Sequence, residues 1–172
     1  MGISVGFVTN NAGRSTRTVA EHLSQLGIQA RCEDVVSSAQ AVANLMAKEL
    51  NAGAKVLVCG ADALVEEVAK AGFVVVESWT DAPQAVVQGY DKTMSLPRLE
   101  QACHAIQHGA RWYVSNTDWT RPTDKGLVPG AGTLVQLVGS VVDVEPTIAG
   151  KPHAPLMQET IARLGAARPL FV

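Results

Sequence analysis

The sequence predicts an α/β protein with mainly parallel sheets, and two observations carry that prediction. Short apolar runs rich in Val alternate along the chain with segments whose apolar residues recur every three to four positions. Strands alternating with helices need crossover connections, which parallel sheets supply. Composition permits the layered core this requires: 47% of the 172 residues are hydrophobic and 17% are charged, a balance that excludes a disordered chain.

Taken in order, Ile3 to Val8 is a short β-rich run. Ser15 or Thr16 then caps a helix whose Val19, Leu23 and Leu26 share one face, with Gly27 as its stop. Ser38 is placed to cap a second helix, with Val42, Leu45, Met46 and Leu50 inward. "KVLVCG" (Lys55–Gly60) reads as a buried strand, "ADALVEEVAKAG" (Ala61–Gly72) as a helix, and "FVVVE" (Phe73–Glu77) and "QAVVQGY" (Gln84–Tyr90) as strands. "SLPRLEQACHAIQHG" (Ser95–Gly109) is a helix with Ser95 at its cap and Pro97 in its first turn. "RWYVSN" (Arg111–Asn116) is a further strand, and Thr117 to Pro129 a polar loop. A helix over about Ala131 to Gly139, a short strand at "PTIAG", a helix from His153 to Leu164 and a terminal strand "PLFV" complete the chain.

Several function classes are excluded at this stage. The net charge is -2 and no Lys/Arg cluster occurs, which argues against a nucleic-acid partner. The N-terminus shows no basic segment followed by an apolar core, and no apolar run has membrane-spanning length. A cytoplasmic protein with no membrane partner is expected. Cys32, Cys59 and Cys103 are odd in number and widely spaced, so they read as reduced, buried thiols.

Three stretches carry candidate chemistry. Thr9, Asn10 and Asn11 follow the first strand, where ligands bind in wound α/β sheets, and a helix N-terminus lies just beyond. Their hydroxyl and amides suit a phosphoryl oxygen, although Asn-Asn-Ala-Gly is equally good turn chemistry. "GKPHAP" (Gly150–Pro155) puts Lys151 before a helix start, where a cation opposes the dipole unless an anionic ligand is shared. "SNTDWTRPTDKGLVPGAGTL" (Ser115–Leu134) is a long loop bearing Asn116, Asp118, Arg121 and Asp124. His104 and His108 stand at metal-ligand spacing on a helix, but no third ligand accompanies them.

In this order, "FVTNNAGRS", "SNTD…KGLVPGAGTL" and "GKPHAPLM" resemble the haloacid dehalogenase superfamily, in its nitrophenylphosphatase or NagD-like branch with a large α/β cap. The resemblance implies a Rossmann-like core, 1-36 and 143-172, and an inserted cap, 37-142. It makes Thr9 the residue that bonds the transferred phosphoryl group, with Asn10 and Asn11 beside it. Lys151 becomes the charge-balancing lysine, and Asn116 and Asp118 match a substrate-shaping loop, here S-N-T-D. The implied substrate is a phosphorylated small molecule and the implied cofactor is Mg2+. The implied reaction is phosphate-monoester hydrolysis through an aspartyl-phosphate, with a second carboxylate as acid and base.

The sequence also departs from that pattern. It contains no D-x-D-G, and the metal-binding G-D motif expected after "PLFV" does not occur. Nucleophile and magnesium carboxylates are therefore expected to be missing, with the core partial, its nucleophile strand lacking, and the chain inactive alone. A non-catalytic assembly module, dimeric through the cap, is the alternative. A nucleotide-binding Rossmann reading is weakened because no G-x-G-x-x-G follows a strand.

Overall fold

A computed structural model describes residues 5–165 and 169–172. The chain opens on β1 (Phe7–Thr9), so the predicted strand is shifted toward the loop, and Ile3 lies outside the described residues. Helix α1 (Thr16–Gln25) follows, with the Ser15 hydroxyl accepting from the Thr18 N–H at 3.2 Å. Gly27 ends it in the left-handed region at φ +82°. Its predicted inward face is only partly right. Val19 and Leu23 are half-buried, but Leu26 is 65% exposed and Ala20 is the buried residue. The helix packs on a two-stranded sheet rather than between layers, so one narrow stripe is all it can bury.

That small sheet contains a strand the sequence reading missed. β2 (Val35–Ser37) pairs in parallel with β1, Thr9 opposite Ser37. Ser37 is then the extended residue before α2 (Ser38–Glu49), and it forms a capping box with Gln40. Ser38, the predicted cap, instead donates its hydroxyl to the Asn10 carbonyl at 2.5 Å.

The main sheet holds β3 (Lys55–Cys59), β4 (Val74–Val76), β5 (Ala85–Gln88), β6 (Arg111–Val114) and β9 (Thr147–Ile148). All pair in parallel, in the order β4-β3-β5-β6-β9. Its strands are apolar on both faces because helices cover both. Val56, Val58 and Val87 pack on one side with α2 and α3 (Asp62–Lys70), where Leu156 of α6 (Ala154–Leu164) joins them. Leu57, Val86 and Val114 pack on the other with α4 (Leu96–Gln107) and α5 (Ala131–Gly139). β9 carries the sheet across residue 142, so segment 143–172 is hydrogen-bonded to segment 37–142.

Three further expectations change. The polar loop after β6 folds into an antiparallel hairpin, β7 (Thr120–Thr123) and β8 (Gly126–Pro129), closed at Gly126 with φ +119°. The terminal "PLFV" forms no strand. Leu170 is 87% exposed. Cys59 and Cys103 are buried, whereas Cys32 is exposed, since it lies in a surface turn before β2. Among the described residues no helix is long and apolar enough to cross a membrane.

Candidate functional site

The loop after β1 is braced by its own side chains. Thr9 Oγ1 accepts from the Asn11 N–H at 3.1 Å, and Asn11 Oδ1 accepts from the Gly13 N–H at 2.8 Å. Small oxygen-bearing residues at these positions turn the chain sharply from strand to helix.

Asn10 ties this loop to two others. Its Nδ2 donates to Asp118 Oδ1 and Oδ2 at 3.1 and 3.2 Å and to the Lys151 carbonyl at 3.2 Å. Its Oδ1 accepts from the Lys151 N–H at 2.7 Å. The Asn10 carbonyl accepts from Asn116 Nδ2 at 2.7 Å, while Asn116 Oδ1 accepts from the Asp118 N–H at 3.1 Å. Asn116 is buried, so both ends of its amide need partners, and they find them here. Gly150 permits the approach. A Cβ there would stand 2.5 Å from the Ser115 carbonyl and 2.9 Å from Asn10 Oδ1. The three joined segments follow β1, β6 and β9, the C-terminal ends at which parallel sheets bind ligands.

These segments open onto a cavity of about 670 Å³. Its wall carries three cations, Arg14, Lys92 and Arg121, and two carboxylates, Asp91 and Asp118. The Arg121 guanidinium lies over the Tyr90 ring, 4.7 Å from its centroid. Asp91 Oδ1 is occupied locally, accepting from the Thr93 N–H and hydroxyl at 2.8 Å each.

Five of the six site residues read from the sequence, Thr9, Asn10, Asn11, Asn116 and Asp118, line this one cavity. Lys151 is joined to them through its backbone, but its exposed side chain is not on the cavity wall. Arg121, read from the sequence only as a member of the polar loop, also lines the cavity, whereas Arg14, Tyr90, Asp91 and Lys92 escaped the sequence reading as site residues. A signal for part of this existed: "GYDKT" (Gly89–Thr93) follows a buried strand at its ligand-binding end. His104 and His108 flank the Trp79 ring, with centroids 5.5 and 4.6 Å away, so they are packed aromatics.

Among the described residues no group of three His, Cys, Asp or Glu is placed to hold a metal ion. Asp118 already receives the Asn10 amide on both oxygens, and Asp91 is turned to Thr93. The described residues therefore do not fit a magnesium site, which needs several free oxygen ligands in octahedral array.

Comparison with known proteins places this geometry. Residues 1–74 match the family described as haloacid dehalogenase-like hydrolase. The chain is 47% identical over 157 residues to the D-glycerol 3-phosphate phosphatase of Mycobacterium tuberculosis, covering 91% of this chain and 44% of that protein. It is 31% identical over 164 residues to the 5'-nucleotidase YutF of Bacillus subtilis, covering 95% of this chain and 62% of that one. The crystal structure of the M. tuberculosis glycerol phosphate phosphatase in complex with magnesium superposes with a TM-score of 0.90 at 46% identity, covering 93% of this chain and 49% of that one. The chain thus spans about half to three-fifths of the length of the relatives it matches. With its α/β layering and its oxygen-rich loop after β1, the chain belongs to the haloacid dehalogenase-like hydrolases.

Proposed function

We propose that this chain is the phosphate-ester-binding portion of a magnesium-dependent phosphomonoesterase that acts on a phosphorylated small molecule. The carrying observation is the Asn10 junction, which holds the Thr9–Gly13 loop against Asp118 and Lys151 at the mouth of a cation-walled cavity. In this reading, the Thr9 hydroxyl and the Asn10 and Asn11 amides position the phosphoryl oxygens, and the N-terminus of α1 favours their charge. Arg14 and Lys151 supply positive charge nearby. Segment 37-142 acts as a cap that shapes the substrate side. The phosphatase names of the relatives support the same reaction class.

The attacking carboxylate and its acid/base partner are left to an Asp-x-Asp-Gly, and the magnesium ligands to that motif and a Gly-Asp motif, neither of which these 172 residues contain. The polypeptide alone is expected to bind phosphate without turning over an ester. Isothermal titration with inorganic phosphate tests the first half, and phosphate release from p-nitrophenyl phosphate with magnesium tests the second. Absence of binding overturns the site, and clear turnover overturns the inactivity.

A second reading, an assembly module dimerising through segment 37-142, is favoured by exposed Trp119, just before the hairpin, and Leu127 on it, at 62% and 71%. Light scattering decides it, since a monomer at high concentration excludes it. Three free thiols suit a reducing, cytoplasmic setting.

A further inference from the structure

The cavity wall also carries an arginine held against an aromatic ring. Arg121 stands on β7 and Tyr90 follows β5, so two separate parts of the fold meet where the guanidinium lies on the ring. Arg121 Nε is shielded from solvent and has no hydrogen-bond partner. Among the described residues neither Arg121 nor Lys92 nor Arg14 forms an ion pair. The two carboxylates on the same wall are engaged elsewhere, Asp118 with Asn10 and Asp91 with Thr93. A buried unpartnered donor is costly, and protein interiors seldom leave one without a reason.

We propose that Arg121, held on Tyr90, reads the leaving group of the phosphate ester, and that this leaving group carries an anionic group of its own. The inference rests on the reading of the cavity as a phosphate-ester site. The space supports it, because about 670 Å³ is the size of a pocket for a whole small molecule and far exceeds one phosphate group. Charge supports it as well. Three cations face two carboxylates that already have donors, so the wall is short of negative charge. Chemistry narrows the class. A guanidinium fork pairs two donors with the two oxygens of a carboxylate or phosphate, and a neutral hydroxyl leaves that charge unanswered. The ring fixes the guanidinium in advance, which reduces the ordering cost of binding.

The test titrates the 172-residue chain with inorganic phosphate, with glycerol 3-phosphate and with 3-phosphoglycerate. The two esters share a three-carbon skeleton and differ by a carboxylate on the leaving group. The carboxylate ester is expected to bind at least about tenfold more tightly, about 1.4 kcal/mol. Arg121→Met keeps a long apolar stem against Tyr90 and is expected to bring that ratio below about threefold. A purely structural latch would instead weaken all three ligands alike and leave the ratio standing, which overturns the proposal. If the variant does not fold, the wild-type ratio decides, and a value near one overturns it. Phosphate binding with a ratio near one sinks only this inference. Failure of all three ligands to bind sinks the phosphate site itself.

Discussion

The side-chain amide of Asn10 donates to both carboxylate oxygens of Asp118, 108 residues away in sequence, at 3.1 and 3.2 Å. The contact joins the loop after β1 to the loop after β6, and Asn10 Oδ1 closes the same junction onto the Lys151 N–H. Asn10→Asp keeps the shape but sets a carboxylate against a carboxylate. A loss of about 2 kcal/mol, at 2–4 °C per kcal/mol, lowers Tm by about 4–8 °C. Scanning fluorimetry measures the shift, and phosphate affinity is expected to fall with it. An unchanged Tm would mean that Asn10 does not hold the junction.

Gly150→Ala tests the same junction from its other side. The added Cβ would press on the Ser115 carbonyl at 2.5 Å, on Asn116 Cβ at 2.8 Å and on Asn10 Oδ1 at 2.9 Å. The Asn10 and Asn116 side chains are themselves hydrogen-bonded and cannot yield cheaply. Overpacking of this kind costs about 1–3 kcal/mol. Both Tm and phosphate affinity are expected to drop, and retention of both would refute the close approach.

Ser37 and Ser38 are adjacent hydroxyls with different duties. Ser37→Ala removes the N-cap of α2 and costs about 1 kcal/mol of stability, with little effect on phosphate binding. Ser38→Ala removes the donor to the Asn10 carbonyl and is expected to weaken phosphate binding as well. Melting curves and titrations on the pair separate the two roles. The reverse pattern would contradict the assignment.

Burial pushes the Cys59 thiol up from 9.0 to about 12. The folded thiol is therefore still protonated where the unfolded one ionises. The contribution of this thiol to stability is complete below about pH 9 and is lost as pH rises from 9 toward 12. Urea midpoints of wild type and Cys59→Ala, taken at pH 8 and 10, are expected to converge at the higher pH. A thiol reagent at pH 8 should label exposed Cys32 promptly, while buried Cys59 and Cys103 react only on unfolding. Rapid native labelling of Cys59 would show that the sheet face is open.

Much of this molecule is legible in one dimension because its signals are local. Lys55–Cys59, Ala85–Gln88 and Arg111–Val114 each hold an unbroken apolar run of three or four residues, and such runs become strands buried on both faces. Ser15 and Pro97 mark helix starts through chemistry confined to one turn. β2 is harder, since three residues merging into a helix carry little periodicity. The hairpin is harder still, because Thr-Arg-Pro-Thr has little strand character alone and is stabilised by its partner, Arg121 opposite Val128.

The sequence by itself determined the α/β class, the main elements and the oxygen-rich loop after the first strand, because spacing and turn chemistry act over a few residues. Tertiary structure alone decided that Asn10 grips Asp118 and the Lys151 backbone, that the Lys151 side chain stays off the cavity wall, and that Arg121 rests on Tyr90. These partners are tens of residues apart or more. Their meeting depends on strand order and hairpin placement, which no local pattern encodes.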